Sequence, residues 1–132
     1  MAGALTLEAA ERVVAACKKR AEELVQPMCI AAADGGANLV AFVRMDDSLL
    51  AALDIAQRKA VTTVGFRMDT RDLTALAQPG AALFGIASAG ATVFGGGVPL
   101  TGEDGRVVGG VGVSGGSPEQ DHDVAAAGAA AL

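Results

Sequence analysis

The chain has 132 residues, 18 of them glycine, and a formal net charge of -5. That length is one domain able to bury a proper core. The acidic balance argues against a nucleic-acid partner, which wants a basic face, and against adhesion to anionic lipid.

Cys17 and Cys29 have no C-x-x-C spacing, and only His122 could join them, so no structural zinc site is expected. With four Phe and no Trp or Tyr, the core must be built from Ala, Val, Leu and Ile, and helices can approach closely. Met1 to Thr6 lacks a basic start, and Glu8 and Glu11 interrupt any apolar run, so no secretory signal is visible. Val124 to Leu132 is too short to span a bilayer. A soluble cytoplasmic protein, one domain over 1–132, is expected.

Thr6 reads as the N-cap of a helix running to about Leu24. Leu7, Ala10, Val13, Val14, Cys17, Ala21 and Leu24 share one face at helical spacing. Pro27 ends it. Met28–Ala33 and Leu39–Met45 are apolar runs either side of the turn residues Asp34-Gly-Gly-Ala-Asn38, an antiparallel hairpin. Asp46-Asp47-Ser48 should cap a second helix, roughly Leu49 to Phe66, with Leu49, Leu53, Ala56, Ala60 and Val64 inward. A short helix over about Thr70–Ala77 follows.

Residues 80–92 are ambiguous. Val93–Leu100 reads as a strand interrupted by glycines, Gly102–Gly105 as a turn, and Arg106–Ser114 as a strand. Ser117-Pro-Glu-Gln120 has the form of a capping box opening an Ala-rich last helix. Two hairpins with helices between them predict an α+β fold, an antiparallel sheet with helices on its faces.

Chemistry, if there is any, should gather at the glycines. Gly95, Gly96 and Gly97 each weaken a strand by roughly 0.5–1 kcal/mol relative to Ala, so something must offset them. A ligand plane or a neighbouring subunit pressing on bare backbone would do so. Pro99 removes a ladder donor and places its strand at an edge or a bulge. The run from Gly109 to Gly116, with Ser114 in it, precedes a helix N-terminus that favours an anion. It reads equally as a glycine strand under a tightly packed helix.

Arg44, Asp46 and Lys59 are the polar residues to watch. Lys59 reads either as part of a solvated helix face, on which Asp54 and Arg58 pair at four-residue spacing, or as an anion holder. His122 reads as a surface residue, with a metal or haem ligand as the alternative. Cys17 and Cys29 read as core.

Arg44-Met-Asp46, Asp54-Ile-Ala-x-x-Lys-Ala60, Phe94-Gly-Gly-Gly-Val-Pro-Leu100, Asp104-Gly-x-Val-Val-Gly-Gly-Val-Gly-Val-Ser-Gly-Gly116 and Glu119-Gln-Asp121 occur in that order. Together they resemble the GlcG/HbpS-like family, which includes the C-terminal domain of some PduO-type corrinoid adenosyltransferases. The resemblance covers nearly the whole chain. It implies a profilin-like five-stranded antiparallel sheet flanked by helices, and assembly into homo-oligomers. It also implies haem as a cofactor, with haem degradation attached to the family.

Two functions are therefore expected. One is a haem-binding module. The other is a cofactor-independent isomerase, lyase or hydrolase acting on a small carboxylated catabolic intermediate. In the second, Arg44 or Lys59 would hold the carboxylate and Asp46 or Asp121 would move a proton. In either, Arg44, Asp46, Lys59 and Asp121 should converge, with Gly95, Gly96, Gly97, Pro99 and Ser114 lining the ligand site. No metal site is expected.

Overall fold

The computed structural model describes residues 4–132; the reading of Met1 to Gly3 lies outside them. The elements in order are α1 (Leu7–Glu23), β1 (Cys29–Asp34), β2 (Leu39–Arg44), α2 (Leu50–Phe66), α3 (Thr70–Leu76), a 3-10 turn (Ile86–Ala89), β3 (Gly97–Thr101), β4 (Val107–Ser114) and α4 (Pro118–Ala129). The strands form one antiparallel sheet in the order β2-β1-β4-β3.

The α+β class and the order of helices and hairpins are as expected; the strand number is not. Among the described residues the sheet has four strands rather than five. Two hairpins supply four strands, and the segment after α3 adds none. Positive φ at Gly80, Gly85 and Gly90 breaks it into turns. The strand expected from Val93 begins only at Gly97, because Gly96 at φ 129° bends the chain first.

Alternation along β1 sorts the core into two layers. Ile30 and Ala32 face α1 and α4, packing with Val13, Val14, Cys17, Leu100, Val111, Val113 and Val124. Cys29, Ala31 and Ala33 face α2, against Ala52, Ala56 and Ala60. Thr6 caps α1 by accepting from the Ala9 N–H. Leu7, expected on the inward face, is largely exposed because it sits in the first turn, ahead of the sheet contact.

The second helix starts one residue later than expected. Leu49 occupies its N-cap without a side-chain bond and lies in solvent, while the Ser48 hydroxyl donates to the Met45 carbonyl. Its buried residues are Ala52, Ala56, Lys59, Ala60, Thr62 and Thr63, while Leu53 and Val64, expected inward, are half-buried.

Pro99 lies in β3, at the sheet edge, next to a register shift between Leu100 and Thr101, as a missing donor requires. On β4, Gly110 and Gly112 turn toward α2. A Cβ on Gly112 would meet the Ala60 nitrogen at 2.5 Å, and one on Gly110 the Ala60 carbonyl oxygen at 2.6 Å. What presses on this bare backbone is α2 itself. No described helix is long and apolar enough to cross a membrane.

Candidate functional site

A slot of about 440 Å3 opens where three segments meet: α3, the bends before β3, and the first turn of α4. Arg71, Thr74, Phe94, Gly95, Pro118, Glu119 and His122 line it. Its size is that of small-molecule sites. A depression of about 490 Å3 lies at the other end of β3, around Leu5, Arg12, Thr101 and Asp104. Its charged groups are exposed, and among the described residues no unpartnered buried polar side-chain atom lies there.

The first turn of α4 is fixed on three sides. Ser117 and Gln120 close the capping box. Asp121 reaches inward, accepting from the Gly116 N–H at 2.9 Å and from Lys59 Nζ at 3.0 Å. Asp123 accepts two bonds from the Arg20 guanidinium, at 3.0 and 2.9 Å, which ties α4 to α1 and holds the Asp123 carboxyl below its ordinary pKa. Glu119 and His122 are left on the slot side. His122 Nδ1 is buried without a hydrogen-bond partner.

The opposite wall is set by α3 and the glycines. The Thr74 hydroxyl donates to the Val93 carbonyl at 2.6 Å, and the Gly97 N–H to Thr70 Oγ1 at 2.9 Å. Phe94, between those ties, is 40 % exposed. Arg71 has one distant carboxylate neighbour, Asp69, at 3.9 Å.

Behind this wall lies Lys59, fully buried rather than on a solvated face. Asp54 and Arg58 do pair on the exposed side, at 2.6 Å. The Lys59 ammonium donates to Asp121 and to the Val113 carbonyl at 2.8 Å, and sits 4.8 Å from the centre of the Phe94 ring. Burial lowers the Lys59 pKa and raises that of Asp121, each pushing toward the neutral form; the partner's charge opposes both shifts.

Of the residues expected to converge, the structure brings together Lys59 and Asp121. Arg44 and Asp46 are exposed at and just beyond the end of β2, and no hydrogen bond joins either to the pair. The strands β1 and β4 separate β2 from β3.

Gly95 lines the slot. Gly96 and Gly97 lie buried behind it, where a Cβ would meet Lys59 Nζ at 2.6 Å or Thr70 Cγ2 at 2.6 Å. Pro99 is half-buried in the edge strand, and Ser114 is buried at the end of β4 opposite Cys29. Both cysteines are free and buried. No group of three or more His, Cys, Asp or Glu among the described residues could hold a metal ion.

Phe94 and Arg71 are slot residues that the sequence alone does not single out. The available signal for Phe94 was an aromatic beside three glycines in a chain with four Phe. Arg71 carried no local signal.

An antiparallel sheet clad by helices on both faces, with a slot at the N-terminus of the last helix, defines a small α+β protein with one candidate site there. Residues 5–130 match the family described as "Haem degrading protein HbpS-like", and the chain belongs to that family.

The corrinoid adenosyltransferase PduO of Citrobacter freundii is 40 % identical over 131 residues, covering 97 % of this chain but 39 % of PduO. The chain thus spans well under half of that relative. Protein GlcG of Escherichia coli K12 is 37 % identical over 110 residues, 83 % of this chain and 81 % of GlcG. Among solved structures, the complex of PduOC with haem superposes with a TM-score of 0.92 at 36 % identity, covering 98 % of this chain and 95 % of that one. HbpS superposes with a TM-score of 0.90 at 32 % identity, covering 98 % and 90 %.

Proposed function

We propose that this chain binds haem in the slot between α3, Phe94-Gly95 and α4. The observation that carries the reading is His122, whose ring borders the slot and whose Nδ1 is buried and unpartnered. An unsatisfied buried nitrogen costs of order 1–3 kcal/mol. A half-turn of the ring that brings the nitrogen round to a partner in the slot removes that cost.

The other lining residues suit the same group. Phe94, Gly95 and Pro118 offer a largely apolar surface to a macrocycle, and Arg71 offers charge to a propionate. His122 is the axial donor in this reading; bound haem would bring an iron that this donor tunes. The haem complex of PduOC supports the reading by kinship.

A second reading rests on Arg71 and the α4 N-terminus, which would also hold the carboxylate of a small metabolite. Lys59 and Asp121 are then poor candidates for moving a proton, since their side chains are 0 % and 3 % exposed. In both readings the protein works in the cytoplasm as a homo-oligomer.

Titration with hemin tests the proposal. The expected result is a sharp Soret shift saturating at one per protomer, with affinity about tenfold weaker or worse in His122→Ala. Absence of a shift in the wild type, or an unchanged shift in His122→Ala, overturns it. Hemin-independent binding of small carboxylates, lost in Arg71→Ala, would favour the second reading.

A further inference from the structure

We infer that the buried Lys59–Asp121 pair is a positioning device that sets both walls of the slot. Stability alone does not account for it. A buried ion pair exchanged for apolar side chains of similar volume is often neutral or stabilising. Here the pair joins α2 to α4, helices that pack on opposite faces of the sheet. It passes the sheet at Gly96, where a Cβ would meet Lys59 Nζ at 2.6 Å and Asp121 Cβ at 2.9 Å. The glycine leaves the space that the pair fills.

Each end of the pair touches one wall. The ammonium lies 4.8 Å from the Phe94 ring, close enough for a desolvated cation to hold that face. The carboxylate binds the Gly116 N–H just before α4 and is the sequence neighbour of His122. The Phe94 side chain is otherwise 40 % exposed, while the backbone around it is tied, Val93 to Thr74, Gly96 to Val113 and Gly97 to Thr70. Lys59 and Asp121 touch no ligand themselves; they act through Phe94 and His122. The binding consequence rests on the haem reading, while the positioning of Phe94 does not.

The chain has no Trp or Tyr, so Phe94→Trp provides a single fluorescent reporter on the wall. Acrylamide quenching is measured in Phe94→Trp, with the native pair and with the neutral pair Lys59→Met/Asp121→Asn. Loss of the cation should raise the quenching constant about threefold or more, with the far-UV circular dichroism unchanged. In the native-aromatic background, the same neutral pair and Phe94→Leu should each weaken hemin about tenfold, and the triple variant no further than the worse of them.

Equal quenching in the two backgrounds, or additive losses of hemin affinity, overturns the inference. If the wild type takes no hemin, the haem reading fails, and the quenching alone decides the positioning. If the neutral pair does not fold, Phe94→Trp with the native pair is compared with Phe66→Trp, whose parent ring is about as exposed, 37 % against 40 %: equal quenching overturns the inference.

Discussion

Lys59 and Asp121 lie 62 residues apart in sequence and 3.0 Å apart in space, both withdrawn from solvent. Removing one partner strands the other. Lys59→Met leaves a buried carboxylate with the Gly116 N–H for support, and should cost about 3–5 kcal/mol in urea unfolding. Asp121→Leu strands the ammonium on the Val113 carbonyl and should cost about as much. Lys59→Met/Asp121→Leu should recover most of the loss. Additive costs in the double variant would show that the two residues are not a unit.

Gly96 and Gly105 both have positive φ, 129° and 81°, but only Gly96 is crowded. Gly105→Ala has nothing within 4 Å of its new Cβ and should lose only the backbone preference, about 1–2 kcal/mol. Gly96→Ala must also push aside Lys59 Nζ and Asp121 Cβ, and should cost at least about 2 kcal/mol more. Equal losses would mean that the crowding at Gly96 relaxes freely and the glycine is there for its φ alone.

Local chemistry made much of the fold legible. The Thr6 cap, the Ser117–Gln120 capping box and the edge position of Pro99 each follow from a few adjacent residues. Lys59 was harder. A lysine inside a helix ordinarily keeps its charge in water, and its burial here depends on space left by Gly96 and charge supplied by Asp121. The cost of the glycines is legible in the sequence. Their compensation comes from α2, α4 and the ion pair, which no spacing rule connects to them. The slot draws Arg71, Phe94 and His122 from three separate segments, so it becomes visible only once those segments meet.

Assembly can be tested without a ligand. Leu39, Leu49, Leu50 and Phe84 are 50 %, 63 %, 83 % and 64 % exposed, a large apolar commitment for a small acidic chain. Burying such side chains against a second copy would contribute roughly 1.5–3 kcal/mol each, which is the driving force that the proposed homo-oligomer requires. Light scattering at micromolar concentration should report a multiple of the 13.0 kDa protomer. A lone protomer at that concentration would rule this out. Leu50→Glu, at the start of α2, is the variant expected to shift the species downward if that helix end lies in the interface.

Cys17 makes the stability depend on alkaline pH. Its thiol is fully buried where α1 packs on α4 at Gly128, and burial pushes its pKa from 9.0 up to about 12. Folded Cys17 therefore keeps its proton through a window in which the unfolded chain gives its proton up. More protons bound to the folded state means that stability falls as pH rises. This contribution is fully present below pH 9.0 and is lost between 9.0 and about 12. Urea midpoints at pH 8 and pH 10.5 should fall more steeply for the wild type than for Cys17→Ala, which has no thiol to ionise. Lysines titrate in the same range, so the difference between the two proteins, rather than either slope, carries the test. In the native protein at pH 8, Cys17 should also resist Ellman's reagent and react only after unfolding, because the thiolate is the attacking form. Parallel pH slopes for the two proteins, or rapid native labelling of Cys17, would show that the α1–α4 contact opens readily.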